Sequence, residues 1–123
     1  MNDYFENFTI ISTVKIIYNI FVIKLTVKMA GNLKEKVQGL IGKDEPFALM
    51  LKTHFGIHTF GLKFPIDVLI LNNKNIVVSI KKKLKPNRIF LWNPIHEKVI
   101  ELPNGTIKKM EIRINIPIDI TIL

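Results

Sequence analysis

The stretch Ile66-Asp-Val-Leu-Ile-Leu-Asn-Asn-Lys-Asn-Ile-Val-Val-Ser-Ile80 decides the fold. Ile66 to Leu71 is a strand-like segment, apolar and β-branched apart from Asp67. Asn72 to Asn75 is a turn built from residues that tolerate positive φ. Ile76 to Ile80 is a second strand, so the whole stretch reads as a hairpin. Just before it, Pro65 marks an edge or bend, and Ile57 to Lys63 has strand character.

Working outward, Phe47 to Leu51 is a short apolar run that suits a buried strand. Asn32-Leu-Lys-Glu35 has the form of an N-cap with its capping-box partner, opening a short helix. Leu33, Val37, Leu40 and Ile41 fall on one face of that helix, and Gly42 is placed to end it. One or two strands are expected between Phe8 and Val27. Downstream, Lys81 to Pro94 mixes charge, two prolines and aromatics and reads as a long loop. Lys98 to Leu102 is a strand, and Pro103-Asn-Gly-Thr106 is a turn leading into a helical turn through Lys108 and Lys109. Ile112 to Leu123 alternates Ile with polar residues as a final half-buried strand. The expected fold class is mainly β (α+β): a compact, barrel-like, curved antiparallel sheet with one or two short helices.

The chain has 123 residues, room for one core. It contains no repeat and no flexible linker. Absence of cysteine excludes disulfides, thiolate metal sites and cysteine nucleophiles, and leaves the redox compartment unreadable. Eighteen Lys and Arg against ten acidic residues give a net charge of +8, which favours anionic partners. Only Arg88 and Arg113 are arginines, so the surplus is diffuse lysine charge rather than the planar fork used in phosphate and base readout.

Phe8 to Ile23 is the most apolar segment, but Lys15 and Asn19 interrupt it. It falls short of the roughly 20 apolar residues of a spanning helix, and it lacks the layout of a secretory signal. The expectation is strands and a cytoplasmic location. An anchor or export segment through residues 8–23 stays open, as does translation from Met29. Residues 1–28 thus read as an apolar extension and residues 29–123 as the single domain.

The run Phe47-Ala-Leu-Met-Leu-Lys-Thr-His-Phe-Gly-Ile-His-Thr-Phe-Gly-Leu-Lys-Phe-Pro-Ile-Asp-Val-Leu-Ile-Leu71 resembles the signature of the DUF192 family. Val37-Gln-Gly-Leu-Ile-Gly-Lys43 and Val99-Ile-Glu-Leu-Pro-Asn-Gly-Thr106 extend the resemblance in the family's order, over roughly Leu33 to Ile112. It implies a compact, mainly β domain with minor helices in residues 29–123, and no assigned reaction. Carried over by position, the family's polar signature falls on His58, Lys63, Pro65 and Asp67, with Gly105 and Thr106 further on. This chain departs from the pattern at Gly61, where many members have Trp, and at Ile116-Pro-Ile-Asp119, where many have a Gly-Asp turn.

His58, Lys63 and Asp67 form the sharpest polar set. If the chain folds back around Pro65, an imidazole, an ammonium and a carboxylate converge there, able to hold a small anionic or hydroxyl-rich ligand. Acid–base work at the same spot is the second reading. A structural role for Asp67, accepting backbone amides at the bend, competes with both. His54 and His58 have a spacing that could serve one metal, but Gly56 separates them and no third ligand is in view, so no metal is expected. Glu97 and Glu101 share at most a solvated strand rim. Ser12 and Ser79 lie in no nucleophile elbow, and no phosphate loop is present.

No cofactor is expected from the sequence. Lys81, Lys82, Lys83, Lys85, Arg88 and Trp92 are the candidates for nucleic-acid contact, against the plainer reading of a solvated loop. The resulting expectation is a non-catalytic domain binding a small ligand or a partner. An enzyme of unknown, hydrolytic reaction is the first alternative, and nucleic-acid association is the second.

Overall fold

The computed structural model describes residues 13–17, 20–31 and 39–123. Nine strands are present among them: β1 Thr13–Ile17, β2 Ile20–Met29, β3 Leu49–Lys52, β4 Ile57–His58, β5 Ile66–Leu71, β6 Val77–Leu84, β7 Ile89–Phe90, β8 Lys98–Pro103 and β9 Ile118–Ile122. One helix, α1 Thr106–Met110, lies between β8 and β9. The helix expected to open at Asn32 lies outside the described residues.

β1, β2, β3, β8, β5 and β6 follow one another across a seven-stranded sheet, and β9 pairs with β2. The sheet curls until the start of β6 meets the chain before β9. There the Val77 amide donates to the Ile116 carbonyl at 3.0 Å, and the Asn115 amide to the Val77 carbonyl at 2.8 Å. The architecture is the expected mainly β, barrel-like one. Two of its pairings, β2 with β3 and β2 with β9, are parallel rather than antiparallel. β4 and β7 form a separate two-stranded ribbon, here called the flap.

Residues 13–17 and 20–23 of the apolar N-terminal segment lie in β1 and β2. The boundary expected after residue 28 falls inside β2, whose Ile23, Leu25 and Val27 lie in the main core. Among the described residues no helix is long and apolar enough to cross a membrane.

β5 carries the central logic of the sheet. Leu69 and Leu71 point into a core shared with β2, β8 and α1, whereas Ile66, Val68 and Ile70 point into a second apolar layer with Leu40, Leu62 and Val99. A strand covered on both faces reads as a near-continuous apolar run, here interrupted only by the buried, amide-engaged Asp67. The hairpin is also as expected. Asn72 Oδ1 accepts from the Lys74 and Ile76 amides at 2.9 and 3.0 Å, and Asn75 has φ 61°.

Three expected spans are corrected. Lys81 to Pro94 is no long loop: Lys81 to Leu84 continue β6, and Ile89–Phe90 is β7. β6 runs on because Leu84 is buried opposite Ile66. The strand expected over Ile57 to Lys63 stops at His58, where Thr59 turns the chain. The strand expected from Ile112 starts only at Ile118, after the turn that closes the sheet.

Candidate functional site

The structure does not bring His58, Lys63 and Asp67 together. Asp67 is 1% exposed. Its Oδ1 accepts the Lys83 amide at 3.0 Å, and its Oδ2 accepts the Gly105 and Ile107 amides at 3.0 and 2.9 Å. The carboxylate is thus engaged by backbone at both oxygens. Lys82 and Lys83 stand opposite Asp67 in a bulge between the Ile66–Leu84 and Val68–Lys81 pairs, and Lys83 has φ 50°. Asp67 therefore fastens the β6 bulge to the turn that opens α1.

His58 is exposed and stacks on Phe60, with ring centroids 5.3 Å apart. Lys63 reaches Asp44 at 2.6 Å, and that ammonium holds the exposed Asp44 carboxyl below its usual range. Among the described residues, no hydrogen bond or ion pair joins any two of the three.

The basic set divides. Lys81, Lys82, Lys83, Lys85 and Arg88 are exposed along β6 and the turn after it. Trp92 instead turns inward: its indole packs on the second apolar layer and donates to the His96 carbonyl at 2.8 Å. Glu101 departs furthest from expectation. It is 5% exposed rather than on a rim, and its Oε1 accepts the Leu40 amide at 3.1 Å. Burial pushes its pKa up to about 7, against the lowering effect of the Leu40 amide. Gly39, at φ 54°, makes this fit possible, since a Cβ there would stand 2.5 Å from Glu101 Oε1.

An imidazole, a carboxylate and an ammonium do gather elsewhere. The β5–β6 turn and the chain entering β8 enclose an open recess of about 180 Å³ lined by His54, Leu71, Asn72, Asn73, Ile95, His96, Glu97 and Lys98. His54 is held at both ring nitrogens, with Nδ1 2.6 Å from the Pro94 carbonyl oxygen and Nε2 3.1 Å from Glu97 Oε2. Lys98 Nζ donates to Asn75 Oδ1 at 2.8 Å and more loosely to the Asn73 carbonyl at 3.4 Å. Sequence singles out His54 and Glu97, but separately, His54 with His58 and Glu97 with Glu101. Glu97 and Lys98 lie more than 40 residues further along and carry no local signal that links them to His54. His54 and His58 part company at Gly56, and among the described residues no three His, Asp or Glu side chains come together as a metal site.

Fold and recess together define a small barrel-like β domain carrying a two-stranded flap. The sequence profile of DUF192, described as "Uncharacterized ACR", matches residues 18–120, and the chain belongs to that family. No curated protein matches it significantly. Two solved structures share the fold. One, a protein of unknown function from Novosphingobium aromaticivorans, is 13% identical with a TM-score of 0.67, covering 86% of this chain and 81% of its own. The other, a candidate transcription regulator from Sinorhizobium meliloti, is 14% identical with a TM-score of 0.64, covering 83% and 85%.

Proposed function

We propose that this domain is a non-catalytic binding module whose small-molecule site is the His54–Glu97–Lys98 recess, and that its ligand is small and hydroxyl-rich, of sugar-monomer size. The observation that carries the reading is the mixed lining of the recess. Beyond the bonds they already make, Glu97 keeps its Oε1 acceptor, Lys98 a further ammonium hydrogen and Asn72 its NH₂ donors, so donors and acceptors lie side by side. The carboxylate works against a simple anion, whereas hydroxyls serve both kinds of partner. At about 180 Å³ the space is smaller than the roughly 300 Å³ at which sites for drug-sized ligands begin, which disfavours nucleotides and large cofactors. Binding is favoured over acid–base chemistry because acceptors already stand at both nitrogens of His54.

The test is a thermal-shift and NMR titration with a panel of monosaccharides and linear polyols. A saturable response should centre on the Asn72, Asn73, Glu97 and Lys98 amides and weaken about tenfold in Glu97→Gln. A panel without a binder, or a response mapping elsewhere, ends this reading.

A further inference from the structure

The flap presents a different kind of surface. Phe55 is 89% exposed and Ile95 74%, and Phe60, Ile89 and Leu91 are exposed too. Ile89 lies on the ribbon itself, Phe55, Phe60 and Leu91 flank its strands within two residues, and Ile95 lies in the turn that follows. Ile57 pairs with Phe90 and His58 with Ile89. Gly56, at φ 85°, lies so close to the opposite strand that a Cβ would stand 2.5 Å from the Leu91 side chain. The His54–Pro94 bond sets Phe55 beside the Ile95 loop. Large apolar side chains gathered in this way mark interaction surfaces, whereas scattered ones need no explanation.

The charge along β6 and the flap is predominantly basic, with Glu97, engaged by His54, at the flap's base. From Pro46 to His96 the only acidic residue is Asp67, which is buried and engaged by amides. Lys81, Lys82, Lys83, Lys85 and Arg88 lead from β6 into the flap, and none of them enters an ion pair among the described residues. The Thr59 hydroxyl ties this turn to the flap, donating to the Lys85 carbonyl at 2.6 Å and accepting the Arg88 amide at 2.9 Å. β6 is also the last strand of its sheet, and beyond Val77 its outer edge has no neighbouring strand among the described residues.

We infer that the flap and the adjoining edge of β6 dock an extended protein segment that combines carboxylates with large apolar side chains. The apolar residues seat against Phe55, Leu91 and Ile95, the carboxylates face the lysines, and the backbone adds to the open strand edge. A second copy of this chain is a poor occupant, because it would bring a like-charged rim to the same face. Nucleic acid is disfavoured because three of the five exposed apolar groups are aliphatic and give bases nothing to stack on. A lipid surface has no use for a free β edge.

The test is a random-peptide display selection on the full chain, with anisotropy titration of the enriched peptides. The expected pool combines Asp or Glu with Leu, Ile or Phe. The pair Phe55→Ser and Leu91→Ser should weaken those peptides about tenfold or more, with thermal unfolding unchanged because both side chains are exposed. Lys81→Gln with Lys82→Gln should weaken them several-fold and flatten the salt dependence. A pool without carboxylates, or affinity indifferent to the Phe55 and Leu91 changes, overturns the inference. So does tighter retention of a single-stranded oligonucleotide or of anionic phospholipid vesicles, lost in the same variants. A dimer in sedimentation that dissociates in those variants would assign the face to a second copy and overturn it equally.

Discussion

The carboxylate of Asp67 and the main-chain amide of Lys83 are joined at 3.0 Å across a β-bulge, and the second carboxylate oxygen holds the turn into α1. One buried side chain thus fixes two irregular places in the backbone. Replacing it by Asn turns an NH₂ group toward amides that are themselves donors. Asp67→Asn should cost about 2–4 kcal/mol in urea denaturation, a buried donor left unsatisfied being worth roughly 1–3 kcal/mol and more where a charged partner is lost. A change within experimental error would show that the three bonds contribute little.

Glu101 gives the protein a pH response of unusual sign. Its folded-state pKa is raised from 4.5 to about 7, so between those values the folded form holds a proton that the unfolded form has released. Stability therefore falls as pH rises through this window and levels off above it, by an amount on the order of 3 kcal/mol. Glu101→Gln keeps an acceptor for the Leu40 amide and removes the titration. Denaturation midpoints measured at about pH 5 and about pH 8 should differ more for the wild type than for the variant. Equal differences would count against a buried, titrating Glu101.

Gly56 permits the close approach of the flap strands. At φ 85°, an added Cβ would stand 2.5 Å from the Leu91 side chain and 2.8 Å from the Phe90 carbonyl oxygen. Gly56→Ala should loosen the flap while the barrel persists, at a cost of about 1–3 kcal/mol for the strained backbone. Hydrogen exchange would report it as faster exchange at the β4 and β7 amides with little change in β5 and β8. Uniform acceleration throughout would mean that flap and barrel unfold as one unit.

Removing residues 1–28 leaves Met29 at the front of a chain that lacks almost all of β2. Ile23, Leu25 and Val27 leave the main core, and each core aliphatic of this size is worth roughly 1.5–3 kcal/mol. The shortened chain should be unfolded or insoluble, as read by circular dichroism and two-dimensional NMR. A folded, well-dispersed spectrum would show that the barrel closes without β2.

What was legible in the sequence follows from how local its causes are. Ile66 to Ile80 declared itself because strand, Asn turn and strand each have a short-range signature. Locally the second strand ends at Ile80, because Lys81, Lys82 and Lys83 look like loop, and only the pairing of Leu84 with Ile66 reveals that it continues. An amide-accepting role for Asp67 is one of the readings its place beside Pro65 allows. Its partners, Lys83 and the Gly105–Ile107 turn, are brought to it by sheet topology that no local pattern encodes. Local pattern puts Glu101 on a solvated rim because a lone carboxylate in a strand usually faces water, and its burial depends on a tight glycine 62 residues earlier. The recess has no local signature for the same reason, its walls meeting only once β5, β6 and β8 are assembled.

The parallel pairing of β2 with β9 sets Ile23 beside Ile118, residues 95 positions apart. During synthesis on a ribosome, β2 can pair with β1 at once but waits for β9 until the chain has grown the 95 positions from Ile23 to Ile118. Contacts over such a span form slowly, and the apolar face that β9 will cover is in that interval open to chaperones and to aggregation. Expression yield should therefore respond more to temperature and chaperone supply than the stability of the finished protein would suggest.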